Sequence, residues 1–398
     1  MSLKRVAVLG AGFSGLTLAR ALKKRNVSVE LFESRSSPGG LIQTSYQKVI
    51  VESAAHAMLA SQEVEELFAE LKIELVKAGY VSDAKWIFRE QPKKWPLTFK
   101  ETLRSLGLPK KPLAQETVAD WVNRNSSSAL NDFFVAPALQ GIYGAQTNEL
   151  SASLVLGAFF DKSLRAKKGK LNGSVAPLNG MSELLNKLAA EAKVNYNSSE
   201  NLESLKDKFE AVIVATGITE ASNLLQHAQP DLSQKLSTIP KVSLLSATIS
   251  FKNATPRIRG FGCLFPAQEK FESLGVLFNS DIFPKRGANN ETWIFSGDHE
   301  EKSSQMILKK IHADRKRIDP TDIDVDFCEM HRWPRVLPLY GLELEKVLSQ
   351  WPGGNPFAAG AFVKPGVYLT GNYLGGIGLS KILSYNERLA QKIVGDSK

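Results

Sequence analysis

Val6-Ala7-Val8-Leu9-Gly10-Ala11-Gly12-Phe13-Ser14-Gly15, near the start of the chain, decides the fold. Four apolar, β-rich residues read as a buried parallel strand, and a G-x-G-x-x-G follows at once. Leu16, Leu18, Ala19 and Leu22 then recur at helical spacing, and a second apolar run, Val27 to Phe32, ends at Glu33. Each residue type has a physical reason to be there. Gly10 permits the tight turn, Gly12 lets the backbone approach a pyrophosphate, and Gly15 lets helix and strand pack closely. Phe13 and Ser14 begin a helix whose free N–H groups and positive dipole end suit phosphate. Glu33, 18 residues after Gly15, is placed to accept hydrogen bonds from both hydroxyls of an adenosine ribose. These features in register predict dinucleotide binding, although periodicity alone does not separate FAD from NAD.

The next residues separate them by resemblance. Ser34-Arg35-Ser36-Ser37-Pro38-Gly39-Gly40-Leu41 puts a glycine pair just beyond the acid. This resembles the second phosphate-side element of the amine-oxidase-like flavoproteins and implies FAD, with Ser34, Gly39, Gly40 and Leu41 beside it. That superfamily usually has Arg or Lys where this chain has Leu41, so a phosphate-contacting cation is expected to be missing there.

Further pieces of the same domain are scattered along the chain. Gly180-Met181 starts a helical pattern that ends before Val194-Asn195-Tyr196, and Phe209 to Gly217 reads as another buried strand closing in a glycine turn. The resemblance makes Val194 a backbone contact for the adenine. Gly366 to Leu379 is a strand, a turn at Gly371-Asn372, and a second helix start at Ile377-Gly378-Leu379, suited to the flavin's carbonyl edge and ribityl chain. Residues 241–251 and 275–296 alternate as antiparallel strands do, and 101–170 reads as mainly helical. The expected fold is α/β: a Rossmann-like FAD-binding domain built from discontinuous segments, with an antiparallel-sheet substrate domain and a helical insertion. Its expected segments are 1–84, 171–235 and 346–398 for FAD, 85–100 and 236–345 for substrate, and 101–170 for the insertion.

Three stretches narrow the resemblance to the protoporphyrinogen oxidases. They are Phe134 to Gly144 with Leu150-Ser151-Ala152, then Arg332-Trp333-Pro334-Arg335-Val336-Leu337-Pro338-Leu339-Tyr340, and Pro365 through Leu379. The resemblance puts Trp333 near the flavin and lets Ala54, Ala55, His56 and Ala57 inherit a flavin-lining turn. That turn reads Glu52-Ser53-Ala54-Ala55-His56-Ala57, without the family's Gly-Pro, and Gly341-Leu342 replaces a Gly-His pair. The implied chemistry is oxidation of a porphyrinogen by hydride transfer to flavin N5, with dioxygen as the final acceptor. The cofactor carries the redox work, so no catalytic acid–base pair is required and none is assigned. An amine oxidase, a carotenoid-type desaturase and a non-catalytic FAD-binding module remain as alternatives, the last motivated by Leu41 and the altered turn.

Composition bounds the partners. The chain has 398 residues and a net charge of +9. Residues 85–170 hold 14 basic against 7 acidic residues, so most of the surplus sits in one region. It implies an anionic partner: the carboxylates of a tetrapyrrole, or membrane headgroups. Lys93-Lys94-Trp95-Pro96-Leu97-Thr98-Phe99-Lys100 has the composition of an interfacial anchor, and Lys162, Arg165, Lys167, Lys168 and Lys170 add a second basic run. No nucleic-acid-binding pattern accompanies the charge. Cys263 and Cys328 alone offer neither a disulfide framework nor zinc spacing, so no metal and a reducing, cytoplasmic compartment are expected, with the inner membrane face as a peripheral site. The basic start followed by an apolar run imitates a secretory leader, but that run is the first strand. Oligomeric state is not set by any of these features.

Overall fold

A computed structural model describes residues 5–107, 109–161, 167–252, 256–299, 301–352 and 361–395. Lys162 and Arg165 lie outside them.

The quoted stretch forms the strand Arg5–Leu9, buried in all but its first residue, and the helix Phe13–Lys23. The strand lies inside a six-stranded sheet, paired in parallel with Ser28–Phe32 on one side and Ala211–Val214 on the other. Lys193–Asn195 extends the sheet beyond Ser28–Phe32, while Val367–Leu369 and then Ala361–Lys364 extend it beyond Ala211–Val214. Only the last pairing is antiparallel. Three separated stretches therefore build one sheet. A parallel strand needs a crossover, and the helices supply it and cover the faces. The last helix, Leu379–Gly395, packs on Phe13–Lys23, and buried Asn386 donates to Ser14 O and Thr17 Oγ1 at 2.8 Å each.

A second, seven-stranded sheet runs in the order Asp324–Pro338, Lys241–Lys252, Asn290–Ser296, Gly275–Leu277, Gly262–Leu264, Lys85–Arg89, Gln91–Lys93. It is antiparallel except where Gly262–Leu264 meets Lys85–Arg89, which are parallel, a pairing that alternation alone does not disclose. Alternation puts Leu245, Ala247, Ile249, Trp293 and Phe295 on the face buried under the helix Ser304–Ile318. That core holds a charge pair: Arg315 Nε lies 3.3 Å from Glu291 Oε1, both buried, with the guanidinium over Phe251. Breaking such a pair on one side costs about 3–5 kcal/mol.

Within 275–296 the alternation is interrupted by short helices at Asn279–Ile282 and Pro284–Arg286. The insertion is helical as expected, with helices Phe99–Arg104, Val118–Asn125, Ala136–Tyr143 and Ala152–Phe160 and a π-helical turn at Asn131–Val135. Part of the positive charge of residues 85–170 is neutralised locally, because Arg89 pairs with Glu101 and Arg124 with Glu116. Trp95 stays about half exposed, its ring 5.3 Å from Phe134 and its Nε1 donating to Thr102 Oγ1. Phe99, Leu103 and Leu106 are exposed beside it.

Candidate functional site

The two glycine turns meet at the carboxyl ends of the strands. Gly12 forms a parallel bridge with Gly39, and Gly39 donates its N–H to Ala11 O at 3.0 Å. Gly10 has φ +103°, and a Cβ on Gly15 would sit 2.0 Å from Gly10 O, so both positions demand glycine. Gly12 is different. A Cβ there would approach nothing closer than Gly39 O at 4.0 Å, so glycine at this position keeps space open rather than relieving a clash. The helix beginning at Phe13 and Ser14 has no side-chain cap and no acid in its first turn, so its leading N–H groups are left for an anion.

Glu33 is buried and anchored. It accepts from Ala11 N at 2.8 Å and from Arg35 N at 3.0 Å, keeping lone pairs for ribose hydroxyls. Ser34 Oγ lies 3.4 Å from Glu33 Oε1. Val194 pairs with Leu31, and its neighbour Asn195 accepts the Glu33 N–H at 2.9 Å, which puts Val194 on the same edge as the acid. Leu41 supplies no cation, but Arg35 does: its guanidinium folds back to donate to Gly40 O at 2.9 Å. This residue stands two places after Glu33 and was readable only as part of a polar turn.

A second group gathers where the two sheets face each other. Ser53 Oγ donates to Leu41 O at 2.8 Å, and Ser53 O accepts from Trp333 Nε1 at 2.8 Å, so Trp333 is fixed against the turn Ala54-Ala55-His56-Ala57. Ala54 is exposed; Ala55, His56 and Ala57 are half-buried. Arg286, which periodicity could not single out, organises this corner. It donates to His56 O at 3.2 Å and Pro177 O at 3.0 Å, and its Nη1 lies 3.2 Å from buried Glu52. Burial, with Arg286 and His331 nearby, pushes the His56 imidazole down to about 4, so the ring is neutral at pH 7.

The third group is the closing turn. The Tyr340 hydroxyl donates to Asn372 O, and Gly371 packs against the Tyr373 ring, where a Cβ would sit 2.6 Å from Cε1. Gly376 turns at φ +94°, Ile377 and Leu379 are half-buried, and a Cβ on Gly378 would meet no atom within 4 Å. A helix start with open space above it thus appears a second time. Both cradles fit an extended dinucleotide with a flavin end, bound by backbone and by Glu33. Among the described residues no group of three or more His, Cys, Asp or Glu could hold a metal ion, and no helix is long and apolar enough to cross a membrane.

Comparison with known proteins agrees with this geometry. Residues 13–378 match the family described as flavin containing amine oxidoreductase. Mitochondrial protoporphyrinogen oxidase of Nicotiana tabacum is 24% identical over 498 residues, covering 99% of this chain and 95% of its own. Protoporphyrinogen oxidase 2 of Arabidopsis thaliana is also 24% identical, covering 98% and 94%. Cyclohexylamine oxidase from Brevibacterium oxydans IH-35A shares the fold over 100% of both chains, with a TM-score of 0.72 at 14% identity. With the match running over most of the chain, from the start of the first helix to the closing turn, the chain belongs to the flavin-containing amine oxidoreductases and is an FAD-dependent oxidoreductase.

Proposed function

We propose that this oxidoreductase dehydrogenates a porphyrinogen, a flexible anionic tetrapyrrole, with dioxygen as the final acceptor. The observation that carries the reading is the joint between Tyr340 and Asn372. It joins two of the segments that resemble protoporphyrinogen oxidases, in a chain that such an enzyme matches over 99% of its length. Bound FAD supplies a two-electron acceptor. The protein's own work is to hold the substrate and keep water out. Gly10, Gly12, Phe13, Ser14, Gly15, Glu33, Ser34, Gly39, Gly40, Leu41 and Val194 hold the adenosine and phosphates in this reading. Ala54 to Ala57, Trp333, Gly371, Asn372, Ile377, Gly378 and Leu379 line the flavin end.

The same reading keeps the division of the chain at 84, 100, 170, 235 and 345. Substrate carboxylates pair with cations of the basic 85–170 region that acids do not neutralise, such as Lys100 and Arg104. The exposed Phe99, Leu103 and Leu106 beside them favour peripheral docking on an anionic membrane surface. Anaerobic mixing with protoporphyrinogen tests the function. Bleaching of the flavin band is the expected result, and an unchanged spectrum with FAD retained points instead to a binding module.

A further inference from the structure

The strand Asp324–Pro338 turns one face toward the turn 53–57, and its alternation puts Glu329, His331 and Trp333 together there. Trp333 is fixed by Ser53 O, and the His331 ring lies nearly parallel to it, at 16° and 6.5 Å between centroids. Glu329 is fixed by Ser45, whose hydroxyl lies 2.8 and 2.7 Å from its two oxygens. His331 Nε2 is buried and lies 3.0 Å from Glu329 Oε1, outside hydrogen-bond alignment but close enough to form an ion pair once the ring is protonated. Facing it from the turn is His56, with Arg286 and Glu52 behind. His56 stays neutral, so Glu329 is the charge in direct contact with His331.

We propose that His331, held by Trp333 and Glu329, is the group that accepts the substrate's proton; this rests on the porphyrinogen reading above. Hydride loss from a bridging methylene to the oxidising cofactor leaves a cation spread over two pyrroles. One pyrrole N–H bond then breaks. Its electron pair stays on nitrogen, giving a neutral C=N, and the proton passes to the basic nitrogen of the His331 imidazole. The imidazolium formed sits against the Glu329 carboxylate, which stabilises it and orients the ring. The cluster thus supplies the acid–base function that the sequence motifs left unassigned.

Two measurements test this. In anaerobic mixing, His331→Gln slows flavin bleaching by about 10²-fold or more with KM changed less than about threefold. Added imidazole restores part of the rate in His331→Ala, which separates lost chemistry from lost folding. Independently of turnover, ¹³Cε1 labelling of the five histidines follows His331 in the FAD-loaded protein. Its signal is expected to move when protoporphyrin binds and to change in Glu329→Gln. Unaltered bleaching and pH dependence in His331→Gln, or a His331 signal indifferent to Glu329→Gln and to porphyrin, overturns the assignment while the porphyrinogen reading stands. A wild-type flavin that protoporphyrinogen does not bleach overturns that reading, and the assignment with it.

Discussion

The Tyr340 hydroxyl donates to the carbonyl of Asn372, so the end of the longest strand is tied to the turn that opens the last helix. Tyr340 is buried and packs at a 54° tilt on Tyr143 of the insertion, ring centroids 5.3 Å apart, while its carbonyl accepts from Ser151 N at 2.8 Å. Three parts of the chain meet on one side chain. Burial pushes the Tyr143 phenol up to about 12 and the Tyr340 phenol well above its ordinary value, so both stay protonated at neutral pH.

Tyr340→Phe removes that donor and leaves the Asn372 carbonyl unpaired. The expected loss is about 1–2 kcal/mol in urea unfolding. A fall in FAD retained through gel filtration is expected with it, because the turn that loosens is the one proposed to line the flavin end.

Two glycines one turn apart should fail differently. Gly12→Val intrudes on open space, so the protein folds with nearly unaltered circular dichroism but purifies without FAD. Gly15→Ala places a methyl 2.0 Å from Gly10 O, and it lowers the thermal midpoint even in the apoprotein. Stoichiometric FAD in Gly12→Val would contradict the cradle.

Arg35→Ala removes the guanidinium that folds onto Gly40 O. A hydrogen bond to a charged group contributes about 1.5–3 kcal/mol, so FAD affinity measured by flavin fluorescence should drop at least about tenfold. Leu41→Arg in the same background is expected to restore part of it, since it returns a cation to the same turn.

His56 gives a pH signature. Its folded-state value of about 4 lies below the ordinary 6.5, so protonation favours the unfolded chain. Stability present above pH 6.5 is therefore lost as pH falls toward 4, by at most about 3 kcal/mol. His56→Phe should flatten urea midpoints across that window. An equally steep decline in the variant would place the acid sensitivity elsewhere.

Phe99→Asp with Leu106→Asp should abolish sedimentation with anionic liposomes and leave FAD content unchanged. Trp95→Ala should matter less, because that ring already packs on Phe134. Equal binding by the double variant would move the contact to another face.

How much of this was legible followed from distance along the chain. Gly10, Gly12, Gly15, Glu33 and the Gly39–Gly40 pair act within one βαβ stretch, where local spacing carries the geometry, and they meet as expected. Arg286 was opaque because its partners Glu52, His56 and Pro177 are each more than 100 residues away, and no periodicity links them. Glu329, His331 and Trp333 lie between these extremes. Their spacing of two is a one-face signature, but it becomes visible only once 324–338 is known to be a strand. The parallel pairing of Gly262–Leu264 with Lys85–Arg89 was hidden for the same reason as Arg286: it joins segments nearly 180 residues apart.

The six-stranded sheet has a consequence for biosynthesis. Two of its strands, Ala361–Lys364 and Val367–Leu369, and the helix that clasps Ser14 and Thr17 are translated last, so the nucleotide fingerprint emerges some 350 residues before these supports. During translation that fingerprint is an unfinished socket, and long-range parallel pairing closes slowly. Flavin capture therefore belongs to the final stage of maturation, and cellular FAD supply at that moment bears on yield, since a ligand that binds only the finished sheet draws the late pairing forward.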